Sequence, residues 1–81
     1  MFESEDVYIG EWKNNIINGH GTYIFKTGEY YEGELIKGNK HGYGKFYYKD
    51  GKVYEGHWQN NIKVGYGCIL FPNGNKFIGF F

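Results

Sequence analysis

"YEGELIKGNKHGYGKFYYKDG", Tyr31 to Gly51, sets five aromatic rings among five glycines. Tyr31, Gly33 and Leu35 fall on every second position, the period of a half-buried strand. In "GYGKFYY", Gly42 and Gly44 keep that spacing with Phe46 and Tyr48, so these four are expected on one face. Glycine on a ring-bearing face leaves a gap. A ring from the neighbouring strand can lie flat over it, a known device of sheet stability. Glycine and β-favouring residues are too frequent throughout for helix.

The pattern recurs every 23 residues. Tyr8, Tyr31, Tyr54 and Phe77 keep this step, as do Gly10, Gly33, Gly56 and Gly79, and Trp12, Leu35, Trp58 and Phe81. The pairs Gly19 and Gly21, Gly42 and Gly44, Gly65 and Gly67 repeat likewise, and Gly28, Gly51 and Gly74 close the units. These are the expected packing positions of a repeat. They divide the chain into units 8–30, 31–53 and 54–76, with a partial fourth unit at 77–81. Phe2 stands 23 residues before Phe25, so the N-terminal segment 1–7 reads as a degraded strand.

Each unit reads as two strands. Tight turns are expected at Asn14–Asn15, Gly38–Asn39 and Asn60–Asn61, where glycine and asparagine accept positive φ. "KTG", "KDG" and "PNG" supply the second turn of each unit. The fold class is all-β: an antiparallel meander of successive hairpins, drawn out as an elongated single-sheet ribbon of about seven strands, roughly 34 Å in the stacking direction. Glu11, Lys13, Thr22 and Lys26, and Glu32 and Glu34 against Lys45 and Lys49, occupy the other, solvated face.

These residues resemble the MORN (membrane occupation and recognition nexus) repeat, with its Tyr-Glu-Gly-x-Trp strand, His-Gly-x-Gly and closing Asp-Gly-type turn. "YEGEL…KHGYGKFYYKDG" and "YEGHW…VGYGCILFPNG" carry the likeness over whole units. Ile9, Leu35, and Asn18 and Val64 in place of the histidine seen at His41 depart from it. Choline-binding modules also string aromatic hairpins together, but the 23-residue step and the Gly-x-Gly pair favour MORN. The resemblance implies a non-catalytic scaffold or protein-interaction module, organising a cytoskeletal or membrane-associated assembly. Its alternatives are weak binding of anionic phospholipids, or service as the repeat region of a larger enzyme such as a lysine methyltransferase or a phosphatidylinositol phosphate kinase. A cytoplasmic location, peripheral to a membrane or cytoskeleton, goes with it.

The chemistry left over is sparse. Ser4, Thr22 and Thr27 sit in no nucleophile motif, and His20, His41 and His57 lack metal-ligand spacing. Neither catalytic residues nor a cofactor is expected. Cys68, the single cysteine, has no partner for an internal disulfide and reads as a small apolar filler. The formal charge is zero, with nine lysines and no arginine, which argues against nucleic acid. The acidic opening "MFESEDV" predicts no secretory leader. Lys37, Lys40 and Lys63 are expected to gather on the turns at one ribbon edge as candidate lipid contacts. Three lysines supply weak contact, at about 1 kcal/mol each near anionic lipid. The end "FIGFF" differs from the other units. Ile78 and Phe80 stand where polar residues belong, so both faces of the last strand are apolar. Phe77, Ile78, Phe80 and Phe81 are therefore the candidate interaction edge, for a protein partner or for self-association.

Overall fold

A computed structural model describes residues 5–81. Seven strands follow one another: β1 (Val7–Lys13), β2 (Ile16–Ile24), β3 (Tyr30–Ile36), β4 (Asn39–Tyr47), β5 (Val53–Gln59), β6 (Ile62–Leu70) and β7 (Lys76–Phe80). They pair antiparallel in chain order within one open sheet, and no described residue is helical. The ribbon measures 40 × 25 × 16 Å. Most of the remnant strand expected at 1–7 lies outside the described residues; Glu5 and Asp6 precede β1.

Two kinds of turn alternate. The tight ones place two successive residues at positive φ, as the right-handed twist of a two-residue hairpin demands. They are Asn14–Asn15 (φ 51° and 65°), Lys37–Gly38 (51° and 81°) and Asn60–Asn61 (49° and 71°). The middle turn thus falls one residue before the expected Gly38–Asn39. The 23-residue step prevails there over the local preference for asparagine, and Lys37 takes the left-handed position. In the wider turns Phe25, Tyr48 and Phe71 accept hydrogen bonds from the amides of Gly28, Gly51 and Gly74 at 2.9–3.0 Å. Thr27 Oγ1, Asp50 Oδ1 and Asn73 Oδ1 each accept the amide two residues on, the local turn-forming bond of short polar side chains.

The register aligns one glycine from every strand. Gly10 faces Gly21, Gly21 faces Gly33, and the file runs on through Gly44, Gly56 and Gly67 to Gly79. Beside it runs a file of large side chains: Tyr8, Tyr23, Tyr31, Phe46, Tyr54, Ile69 and Phe77. The unit tyrosines fold over the glycines. A Cβ added at Gly44 would stand 2.5 Å from Cε1 and Cζ of Tyr31, and one at Gly67 would stand 2.7 Å from Cε1 of Tyr54. Each hydroxyl then reaches past the glycine row. Those of Tyr8, Tyr31 and Tyr54 donate to the carbonyls of Glu11, Glu34 and His57 at 2.8, 2.7 and 3.1 Å.

The two glycines of each Gly-x-Gly do different work, which corrects the expectation that Gly42 shares a face with Gly44. The pairing slips within every tight hairpin, between Gly10 and Trp12, Gly33 and Leu35, and Gly56 and His57. The first glycine sits at this bulge with positive φ: 114° at Gly19, 76° at Gly42 and 72° at Gly65. A Cβ on Gly42 would meet the Glu34 carboxylate on the polar face, not a ring. Only the second glycine lies beneath the tyrosine.

Ile17, Tyr23, Tyr31, Leu35, Tyr54 and Trp58 form the core, with Tyr23, Tyr31 and Tyr54 fully buried although the sheet is a single layer. Neighbouring units close over one another. The Trp58 ring lies 5.7 Å from Tyr31 of the preceding unit and 5.2 Å from Tyr54 of its own. Tight turns also bond backwards: Gly38 N–H to the Ile17 carbonyl (2.9 Å) and Asn61 N–H to the Lys40 carbonyl (3.1 Å). Trp12, at the same repeat position as Trp58, stays 54% exposed because no strand precedes β1 in the described sheet. At that end Asp6 is buried. Its carboxylate accepts the Tyr23 hydroxyl (2.9 Å) and the Lys26 amide (2.7 Å), as Glu29, 23 residues on, accepts the Lys49 amide.

Candidate functional site

β7 and the residue that follows it, Phe81, split their side chains between two environments. Phe77 and Phe81 turn to the ring face. Phe77 lies against Gly79, Phe81 packs 5.0 Å from the Tyr54 ring, and the Phe81 amide bonds the Gly65 carbonyl. Ile78 and Phe80 point the other way and remain 67% and 74% exposed. Pairing of β6 with β7 sets Ile78 opposite Cys68 and Phe80 opposite Tyr66. Tyr66 is itself 71% exposed and meets Phe80 edge-on at 4.8 Å. The result is an apolar patch on the face that carries the charged file Glu32, Lys45 and Glu55 and, beside it, exposed Val7, Tyr30 and Leu70. Tyr43, Glu55, His57 and Lys76 border it in a shallow depression. The Tyr43 hydroxyl donates to the Glu55 carboxylate, and that bond, aided by burial, pushes its pKa up to about 12. Lys45 stands between Glu32 and Glu55 in the register, and its ammonium reaches Glu55 at a loose 4.0 Å.

The three lysines expected together on the turns at one edge divide between a turn and the ring face. Lys37 occupies a tight turn. Lys40 and Lys63 lie on strands, opposite Leu35 and Trp58, and turn onto the ring face. The Lys40 ammonium stands 5.3–5.8 Å from the ring centres of Phe25, Tyr31, Phe46 and Trp58. That of Lys63 stands 5.0 Å from Tyr48 and Tyr54 and 6.0 Å from Trp58, and it donates to the Tyr48 hydroxyl. Burial first, and the charge of Lys63 second, hold the Lys40 pKa below the ordinary lysine value. Sequence reasoning sorted these lysines by charge. Counting would have placed them: Lys40 and Lys63 fall 23 and 46 residues after Ile17, a core position.

Among the described residues, no group of three or more His, Cys, Asp or Glu is placed to hold a metal ion, and no helix is long and apolar enough to cross a membrane. No curated protein matches the chain. The MORN repeat family model matches it in three consecutive stretches, residues 8–30, 31–53 and 54–76. MORN repeats are generally non-catalytic modules of protein or membrane association. With most of its length so matched, and folded as repeating hairpins in one sheet, the chain belongs to the MORN repeat family.

Proposed function

We propose that this chain is a non-catalytic scaffold module that associates through the polar-side face of its last two strands, with a second copy of itself as the occupant. The observation that carries it is the Tyr66, Ile78 and Phe80 patch, three large apolar side chains each more than two-thirds exposed. Contiguous exposed apolar surface of this kind marks an interaction site. The border offers both signs of charge, Glu55 and Lys76. A two-fold contact needs a self-complementary surface, and such a border lets the lysine of one copy meet the glutamate of the other.

Sedimentation velocity tests this between about 1 and about 100 μM, a range that spans the micromolar affinity of a modest interface. The intact chain is expected to shift toward dimer as concentration rises. Ile78→Glu with Phe80→Lys is expected to stay monomeric, as is a chain lacking 77–81. A monomeric intact chain across the whole range overturns the proposal.

A further inference from the structure

Position 17 of the first unit holds Ile17, buried in the core, and the same position in the next two units holds Lys40 and Lys63. Two cations thus replace an aliphatic side chain on an aromatic floor. Among the described residues neither ammonium has a carboxylate within ion-pair distance. Lys63 donates to Tyr48, whereas the Lys40 ammonium has no hydrogen-bond acceptor among them. Lys52 also reaches the Tyr48 ring, at 4.9 Å, but Asp50 neutralises it at 3.4 Å. Ring faces hold the other two charges through the negative side of their π-systems, joined for Lys63 by the Tyr48 hydroxyl. Both ammoniums lie within 6.0 Å of the Trp58 ring centre, and β5, which carries Trp58, runs between their strands β4 and β6.

We propose that Lys40 and Lys63, with the Trp58 indole between them, form a seat for the carboxylates of an acidic, aromatic-containing peptide segment of a partner protein. Each ammonium retains donors for carboxylate oxygens, and such charge-assisted bonds are the stronger class. The floor offers the half-buried rings of Phe46 and Tyr48 to apolar side chains next to the acid. The lysines are sunk among rings rather than projecting from an edge. An extended chain reaches such cations; a plane of lipid headgroups does not. The seat is on the opposite face from the Tyr66–Ile78–Phe80 patch, so it does not depend on self-association.

Fluorescence anisotropy of a fluorescein-labelled glutamate–tyrosine copolymer measures the seat directly. Titration is done on the intact chain and on the Ile78→Glu, Phe80→Lys chain. Saturable binding is expected to both, weakened at least tenfold by Lys40→Met and by Lys63→Met and unchanged by Lys45→Met on the other face. Methionine keeps the apolar stem, and circular dichroism checks that each variant folds. Vesicles of phosphatidylserine and phosphatidylcholine serve as the second probe. Three results overturn the proposal: no copolymer binding, equal loss on Lys45→Met, or lysine-dependent binding of the vesicles but not of the copolymer.

Discussion

At the scale of residues, the two glycines in Gly-x-Gly separate by what each position forbids. Gly65 has open space where a Cβ would go but a φ of 72°, whereas Gly67 has the Tyr54 ring 2.7 Å from that point. Left-handed backbone costs an ordinary residue about 1–2 kcal/mol, and asparagine tolerates it. Gly65→Asn is therefore expected to unfold close to the parent in denaturant and Gly65→Ala about 1 kcal/mol below it. At Gly67 asparagine and alanine should both destabilise, because each displaces the ring. Gly44→Val should lose about 1–3 kcal/mol by overpacking against Tyr31. Matching midpoints for Gly44→Val and parent would mean that the ring does not need the gap.

Lys40 makes a prediction of the same grain. Its folded pKa lies below the ordinary 10.5, so the unfolded chain holds that proton more tightly. Stability contributed here is lowest below the folded pKa and rises as pH climbs from it toward 10.5. The buried Tyr31 hydroxyl has the opposite sign: its pKa is raised from 10.0, so high pH costs the fold. Urea midpoints compared between pH 7 and pH 9.5 keep the two apart. The parent is expected to gain stability over that range relative to Lys40→Met, which should be at least as stable as the parent at pH 7. A pH dependence identical in the two chains would show that the ring face does not strain this cation.

At the scale of elements, the period and the ring-bearing face of β3 and β5 could be read directly, because alternation along a strand is a property of neighbouring residues. The bulge at Gly42 could not. It depends on which backbone groups of β3 and β4 pair, and glycine spelling alone does not distinguish a left-handed residue from a flat one beneath a ring. The same cause shifted the middle turn. "KGN" offers two ways to place a glycine, and only the pairing Ile36 to Asn39 selects Lys37–Gly38. The patch at Ile78 and Phe80 was legible as a breach of alternation, whereas Lys40 and Lys63 were hidden by their charge. Lys37, the only described residue other than asparagine and glycine at positive φ, is the weak point of its hairpin. Its side chain makes no bond that the turn requires; its amide donates to Asn18 Oδ1, and asparagine keeps that amide. Lys37→Asn is expected to stabilise by about 1 kcal/mol, which in a domain this small raises the melting temperature by about 4–8 °C. An unchanged or lower melting temperature would show that Lys37 is not strained.

For the whole molecule, units touch only their neighbours, so stability is distributed along the ribbon. Tyr31 and Tyr54 are closed over from both sides, whereas Trp12 and the outward residues of β7 are open. Native-state hydrogen exchange is expected to follow that gradient. Amides of β3, β4 and β5 should exchange last, through global unfolding, and those of β1 and β7 earlier, by fraying from the ends. Uniform protection across all strands would indicate one all-or-none unit rather than an array.

The aligned glycines also bear on heredity. The file from Gly10 to Gly79 repeats two kinds of junction in alternation, a tight hairpin whose pairing slips and a wider turn whose pairing runs straight. A genetic exchange that adds or removes one 23-residue period anywhere in the array restores each junction it cuts. Length is then free to vary under selection, in increments of two strands or about 10 Å. Such a ribbon is graduated like a ruler, and the distance between its two ends changes by whole repeats.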